Sequence, residues 1–354
     1  MRFSKRFSIC LVIAAVCCAV AHADTLTLDP MSGNYTFSYQ VEGGISTTTY
    51  TPAATQIDPP SLTSSISIIN ATQIRYEYTL ANGSTAKAGL RQFAFRGIPN
   101  LLVGELADLP NQTRAQDIAL FASYHQAMTT PLSWESDLYR HDTYPSKGYS
   151  HIGWSAETEQ LVNGVQVVIP RANRGVLPGG TQSDFGFTSL DLPGINQARL
   201  QGPMGIIAYA DEGPEDPQDG TLNALQTLQE NDFASRNAAA PMIAVPTPYD
   251  AAVTLENIQT HVHTWIAKQL LDTAFSAQLD PLFQAAIDAY RLNQREVGKK
   301  KLETLREFIK QQQPDAEKQA AGVNPIAVPP AKIDLLAARI LFFDVGYVME
   351  RGSQ

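Results

Sequence analysis

The chain has 354 residues, a length that fits about two domains. With 44% hydrophobic and 17% charged residues, its composition excludes a collagen, a long coiled coil and a wholly disordered chain. The net charge of −9 argues against sequence-independent nucleic-acid binding, because that activity needs lysine and arginine to neutralise phosphates. We therefore expect no nucleic-acid partner.

Residues 1–23 have the pattern of a secretory signal peptide. Three basic side chains among the first six residues are followed by an apolar run over 7–20 and by the small-residue cleavage pattern Ala21-His22-Ala23. The apolar run is shorter than the roughly 20 residues that a membrane-spanning helix needs. We expect cleavage after Ala23 and a secreted or periplasmic mature chain.

All three cysteines, Cys10, Cys17 and Cys18, lie in this segment, so the mature chain has none. Lipid attachment is the less favoured alternative to cleavage after Ala23, because neither Cys17 nor Cys18 follows a small residue. Disulfides and thiol catalysis are therefore excluded from the mature chain. No later apolar run reaches membrane length, so no membrane span is expected.

Residues 24–210 predict an antiparallel β-sandwich. The segment 73–80 alternates apolar and polar side chains, the period of a half-buried strand. Asn82-Gly83 then predicts a turn, from which 90–95 returns as the next strand. Short strands separated by glycine, proline and asparagine turns favour a sandwich over a parallel sheet. Other expected elements are strands at 61–69, 165–169, 183–190 and 205–209 and a helical insertion at 113–127.

Residues 211–254 are expected to form an acidic, proline-rich connector with a short helix near 221–233. Five acidic residues between 211 and 219 offer the oxygen ligands that calcium takes. Their spacing does not follow the EF-hand pattern, so a solvated linker is favoured, with calcium binding left open.

Residues 255–354 predict a small four-helix module, since apolar residues recur at helical spacing. Asp280-Pro281 has the pattern of an N-cap followed by a first-turn proline. Asn293 and Glu296 have a spacing similar to that of a capping box before the next helix. The final helix is expected over 331–350.

Asp344 lies in the middle of the apolar stripe of that final helix. Since burial of a lone carboxylate is costly, the sequence predicts that Asp344 has a structural pair or a backbone contact.

The sequence assigns no catalytic residue, metal ligand or cofactor. Ser150 lies in a near match to G-x-S-x-G, but Ile152 replaces the final glycine, so a loop serine is the preferred interpretation. His261 and His263 are two positions apart, which places them on different sides of a helix and argues against a shared metal ion. The candidate ligand-binding residues are Trp134, Trp154, His141 and His151.

Three segments resemble known secreted proteins. Residues 73–97 and 178–195 resemble strands of the β-sandwich ectodomains of uncharacterised secreted bacterial proteins. Residues 269–350 resemble the helical module of the FIMAH type, chiefly through 286–313 and the final helix, although the signature phenylalanine-isoleucine-methionine-alanine-histidine string is absent. The resemblance implies a non-catalytic accessory module and carries over no catalytic residue.

The sequence therefore predicts a β-sandwich followed by a helical module, acting as a secreted non-enzymatic scaffold or binding protein. The alternative is a carbohydrate-active enzyme or carbohydrate-binding protein that uses surface tryptophans and paired carboxylates. Residues 24–254 hold 11 basic and 23 acidic side chains, whereas 255–354 hold 12 of each. A cationic or glycan partner is accordingly expected at the acidic β part.

Overall fold

A computed structural model describes residues 25–41, 44–57, 59–70, 72–99, 128–140, 149–156, 159–162, 165–168, 173–203, 221–317 and 332–352. The chain forms two compact units. Residues 1–51 and 206–231 make up the first unit, and residues 52–205 and 232–354 make up the second. This division differs from the boundaries at 210 and 254 that the sequence suggested.

The first unit contains an antiparallel three-stranded sheet and one helix. The strands are β1 (Thr25–Leu28), β2 (Tyr35–Val41) and β3 (Gly44–Tyr50), in the order β1-β2-β3, and the helix is α1 (Thr221–Glu230). Phe37, Tyr39 and Tyr50 are buried together with Leu225 of α1. The short helix expected near 221–233 is therefore present, and its apolar side covers aromatic residues of this sheet.

The second unit contains the predicted antiparallel β-sandwich. The sandwich strands are β4 (Ser61–Asn70), β5 (Gln73–Ala81), β6 (Gln92–Pro99), β7 (Trp134–Arg140), β8 (Tyr149–Ala156), β11 (Thr181–Ser189), β12 (Leu192–Gln201) and β13 (Ala234–Ile243). One sheet has three strands in the order β11-β5-β4, and the other has five in the order β13-β12-β6-β8-β7. Strands β9 (Glu159–Val162) and β10 (Val165–Val168) form a separate pair.

Alternation along β5 explains how the two sheets meet. Its inward side chains, Ile74, Tyr76, Tyr78 and Leu80, are at most 2% exposed. The Tyr78 ring lies 5.1 Å from that of Phe95 in the opposite sheet, and its hydroxyl donates to Ala239 O at 2.8 Å. The aromatic faces can therefore be buried because the phenol of Tyr78 also finds an acceptor.

The strand expected after the Asn82-Gly83 turn is present as β6, but it joins the other sheet. β5 pairs with β4 and β11, whereas β6 pairs with β8 and β12 in the other sheet. Asn82 is buried, and its side-chain amide donates to Ala88 O at 2.8 Å and to Val176 O at 3.0 Å. These bonds fix the segment that connects the two sheets. A local turn signal carries no information about such bonds to more distant residues.

The expected connector 211–254 contains a strand that its composition concealed. β13 pairs with β12 along nine positions despite Pro241. As an edge strand, β13 tolerates a proline, which lacks the N–H that a central strand needs. The acidic run 211–219 and the elements expected at 113–127 and 205–209 lie outside the described residues.

The predicted helical module follows the sandwich. Its helices are α2 (Ala251–Ala267), α3 (Thr273–Arg291), α4 (Arg295–Gln312) and α5 (Leu335–Arg351), with a 3-10 turn at Pro314–Glu317. Asp250 caps α2 through Val253 N, Asp272 caps α3 through Phe275 N, and Asp334 caps α5 through Leu336 N. A side-chain acceptor at each of these N-termini satisfies an otherwise unpaired backbone donor.

Two predicted helix starts are wrong. Pro281 lies inside α3, and Asp280 accepts a bond from Gln259 instead of capping a helix. Asn293 has a φ of +57°, and α4 begins after Gln294, which forms no side-chain cap. In both places the tertiary packing of the helices outweighs the local sequence signal. At Pro281, the contacts along α3 compensate for the backbone N–H donor that proline lacks.

Sandwich and helices share one hydrophobic core within the second unit. Helix α5 contacts α2, α4, β12 and β13, so it lies between the other helices and the five-stranded sheet. Among the helices of the described residues, none is long and apolar enough to cross a membrane.

Candidate functional site

Both candidate tryptophans lie inside the sandwich. Trp154 is 2% exposed, stacks on Phe93 at 5.0 Å between ring centroids, and donates from Nε1 to Thr129 O at 3.1 Å. Trp134 is 5% exposed and meets Phe185 edge-on at 4.8 Å. Neither indole therefore offers a face to a ligand, and both act as core residues.

The candidate histidines do not form a site in the described part of the chain. His141 lies outside the described residues. The backbone of His151 lies in β8 opposite Tyr139, and Ser150 of the same strand lies opposite Arg140. Within the residues described, no group of three or more histidine, cysteine, aspartate or glutamate side chains is placed to hold a metal ion.

His261 and His263 contact different parts of the second unit. The Nε2 atom of His263 lies 2.7 Å from Asp280 Oδ1. His261 lies against Gly194, where a Cβ atom would come within 2.2 Å of its Nε2, and its ring meets Trp265 edge-on at 5.8 Å. Burial, aided by the charge of Lys268, lowers the pKa of His261 to about 4.

We expect His261 to make the fold sensitive to acid. The unfolded chain binds a proton at His261 near pH 6.5 and the folded chain only near pH 4, so stability is lost as the pH falls through this interval. Wild type should lose about 2 kcal/mol more than His261→Gln between these two pH values. Urea unfolding across this range measures the difference. An equal loss in wild type and His261→Gln contradicts the prediction.

The open half of the edge strand β4 is the strongest candidate for a binding surface. Its first half is covered by β13, since Arg236 Nε donates to Pro60 O at 2.7 Å and Ala239 N donates to Ser64 Oγ at 3.2 Å. Beyond Ile66 no strand of the described residues neighbours this edge, and Ile68 and Ile69 are 39% and 52% exposed. An uncovered edge of this kind presents backbone donors and acceptors to another chain.

A groove of about 420 Å³ lies beside this edge. We call it the β4 groove, and it is lined by Ile66–Ile68 of β4, Arg306 of α4, the 3-10 turn at Ala316 and Glu317, and one side of α5 from Leu336 to Glu350. Its size falls within the range of roughly 300–1,000 Å³ typical of ligand sites. Apolar walls and charged side chains thus meet at an open strand edge.

Both signs of charge line the β4 groove, since Arg306 and Arg339 face Glu317 and Glu350. The Arg306 guanidinium lies 3.9 Å above the Phe342 ring, and its Nε atom has no hydrogen-bond acceptor among the described residues. Burial lowers the pKa of Arg306, and the charges of Glu350, Glu307, Glu317 and Glu303 oppose that shift. These four carboxylates surround one half-buried cation.

No sequence pattern predicted the β4 groove as a whole. A detectable signal was present at Ile68-Ile69, where two successive isoleucines end the alternation of β4 and expose apolar surface. The approach of Arg306 and of α5 to this edge had no such signal, because it depends on contacts between distant segments.

A second feature lies between the sandwich and the helices, where two carboxyl groups are buried. Asp344 of α5 is fully buried, and neither of its oxygens has a hydrogen-bond partner among the described residues. The predicted partner of Asp344 is therefore absent from this part of the structure. Asp191, in the turn from β11 to β12, is 8% exposed, and burial raises its pKa to about 7 against the opposing effect of the Val245 N–H.

Comparison of the chain with protein-family models, with curated proteins and with solved structures gave no match.

Proposed function

We propose that the chain is a secreted or periplasmic, non-enzymatic binding protein whose β4 groove holds an extended peptide segment of a partner protein. The observation that carries this proposal is the uncovered half of β4, which ends in exposed isoleucines beside the groove. An extended peptide can add to such an edge through main-chain hydrogen bonds and place alternate side chains in the adjoining groove.

The charges favour a partner segment that is both apolar and basic. In the groove Glu317 and Glu350 balance Arg306 and Arg339, and the nearby Glu303 and Glu307 of α4 add negative charge that acts on Arg306. The excess of acidic over basic residues in 24–254 has the same sign. Lysine or arginine side chains on the bound segment complement this field, which makes association faster and sensitive to salt.

Burial of Trp134 and Trp154 weighs against the carbohydrate alternative, because that alternative needs aromatic faces open to sugar rings. The resemblance of the helices to a FIMAH-type accessory module agrees with a binding role. In this proposal the helices supply one wall of the groove and take no part in chemistry.

We expect Ile68→Lys to weaken peptide binding at least about tenfold, since a lysine on an edge strand opposes pairing and adds a charge of the same sign as the ligand. Peptides are first selected from a displayed random library on the chain from Asp24 onward. Their dissociation constants are then measured by fluorescence anisotropy for wild type and variant, and amide exchange over 66–70 is followed with and without peptide.

Ile45→Lys is the matched control, because it places the same charge on an exposed isoleucine of β3, an edge strand of the first unit. It should bind as wild type does. Equal affinity of Ile68→Lys and wild type, or no added protection over 66–70, overturns the proposal. Specific binding on a glycan array, unaffected by the selected peptides, supports the carbohydrate alternative instead.

A further inference from the structure

The two buried carboxyls belong to one polar cluster at the interface between α5 and the sandwich. The charges of Asp344 and Asp191 both act on Tyr76 of β5. The hydroxyl of Tyr76 donates to the Asp191 backbone O at 2.8 Å. The charge of Asp191 also contributes to the raised pKa of Tyr347, which lies one turn beyond Asp344 on α5. Two carboxyl groups and two phenols therefore lie near one another where α5 packs against the sandwich.

No cation neutralises Asp344 in the described part of the chain. Burial is the one cause that raises its pKa, and Tyr76 is the ionisable group that interacts with it. The charged groups on the elements packed around α5 are engaged elsewhere. They include Arg306 of α4 above Phe342, Glu317 of the 3-10 turn with Lys310, Glu256 of α2 with Arg291, Arg199 of β12 above Phe233, and Arg236 of β13 with Pro60. His261 of α2, which lies against Gly194, is neutral above its pKa of about 4.

Apolar packing surrounds the same face of α5. Ile340, four residues before Asp344, is fully buried, and Val345 and Val348 are fully buried as well. A charge at Asp344 is consequently shielded from solvent and finds no counter-ion among the described residues, which is a costly state for a carboxylate. Separation of α5 from the sandwich is the movement that gives this carboxylate access to water.

We propose that α5 is a pH-sensitive latch: it stays packed on the sandwich while Asp344 is protonated, and it opens more often as rising pH favours the ionised carboxylate. This inference concerns the fold and does not depend on the peptide proposed for the β4 groove. Because α5 forms one side of that groove, opening of the latch also changes the groove.

The direction of the effect follows from proton linkage. In the open state Asp344 ionises near its ordinary pKa. In the closed state burial raises the pKa of Asp344, so its carboxyl group stays protonated. Each such carboxyl releases one proton on opening, so the open population grows about tenfold per pH unit between the two pKa values. Stability of the closed state is thus complete at low pH and is lost as the pH rises.

Between pH 7.5 and 9, the effect of Asp344 on stability can be distinguished from the effects of its titratable neighbours. Above pH 7.5, Asp191 with a pKa of about 7 is already ionised in the closed state, and His261 with a pKa of about 4 is neutral in both states. Burial also lowers the pKa of Lys268, which donates to Ile195 O at 3.0 Å. Since Asp344→Asn retains Lys268, the difference between wild type and this variant reports on Asp344.

Hydrogen exchange tests the latch in the chain from Asp24 onward, without any ligand. We expect protection factors of amides 340–349, which already correct for the intrinsic pH dependence of exchange, to fall in wild type as the pH rises above 7.5, by up to about tenfold per pH unit while Asp344 stays protonated in the closed state. Asp344→Asn should show no such fall, because its amide carries no titrating proton.

Asp288→Asn is the matched control, as it changes an exposed aspartate of α3, and it should keep the wild-type slope. Asp191→Asn gives a second comparison that leaves Asp344 intact: its slope should be smaller than that of wild type below pH 7 and equal to it above pH 7.5. Constant protection of 340–349 in wild type, or the same slope in Asp344→Asn, overturns the latch.

Discussion

Trp154→Ala should lower the free energy of unfolding of the second unit by about 3–5 kcal/mol. The indole stacks on Phe93 and also lies within 6.3 Å, between ring centroids, of Tyr78, Phe185 and Phe187. Its removal leaves a cavity between two sheets that are fixed by their own hydrogen bonds, so the surrounding rings cannot close it. Urea denaturation followed by the fluorescence of the remaining tryptophans measures the loss.

Leu132→Ala is the control for this substitution, because Leu132 is 89% exposed and its truncation should change stability by no more than about 0.5 kcal/mol. A stable Trp154→Ala protein that has lost affinity for a glycan would show instead that Trp154 serves a ligand. We expect instead that any loss of binding in Trp154→Ala is accompanied by a loss of stability.

Gly175→Ala should be comparably severe, with a loss of about 3 kcal/mol or more. Gly175 has a φ of +78°, and an added Cβ would lie 2.0 Å from Leu90 O. That carbonyl accepts the Val176 N–H at 2.8 Å, and Leu90 N donates back to Val176 O at 2.9 Å. The clash is thus with backbone that cannot move without breaking a buried bridge. Thermal unfolding of the purified variant measures the effect.

Gly97→Ala separates the two causes. Gly97 has a similar φ of +67°, but no other atom of the described residues lies within 4 Å of its added Cβ. We expect Gly97→Ala to cost only the conformational strain of about 1–2 kcal/mol. Equal losses in the two variants would mean that the approach to Leu90 contributes nothing.

The sequence by itself determined much of the local structure. Alternation identified β5 and β11 with their buried sides, because a strand that covers a core must place every second side chain inward. Helical spacing identified the buried stripe of α2 through Leu255, Ile258 and Val262 for the same kind of reason. The antiparallel sandwich and the helical module followed from these patterns.

Tertiary structure alone decided which elements become neighbours. Asn82-Gly83 is a strong turn signal, yet Asn82 lies in a connection between two sheets, where its side-chain N–H groups donate to Ala88 O and Val176 O. Pro281 is a strong start signal, yet it lies within α3. Local propensities contribute about 1 kcal/mol each or somewhat more, and burial of a whole helix or strand face outweighs them.

The candidate site shows the same limit most clearly. Composition cannot tell an indole that stacks on Phe93 from one that stacks on a sugar, and periodicity cannot tell whether Asp344 has a partner. The β4 groove and the cluster of Asp191 with Asp344 join residues that are far apart in the chain, so they exist only once α5 lies against the sandwich. Sequence sets the elements because their signals are local, whereas the site is set by contacts between them.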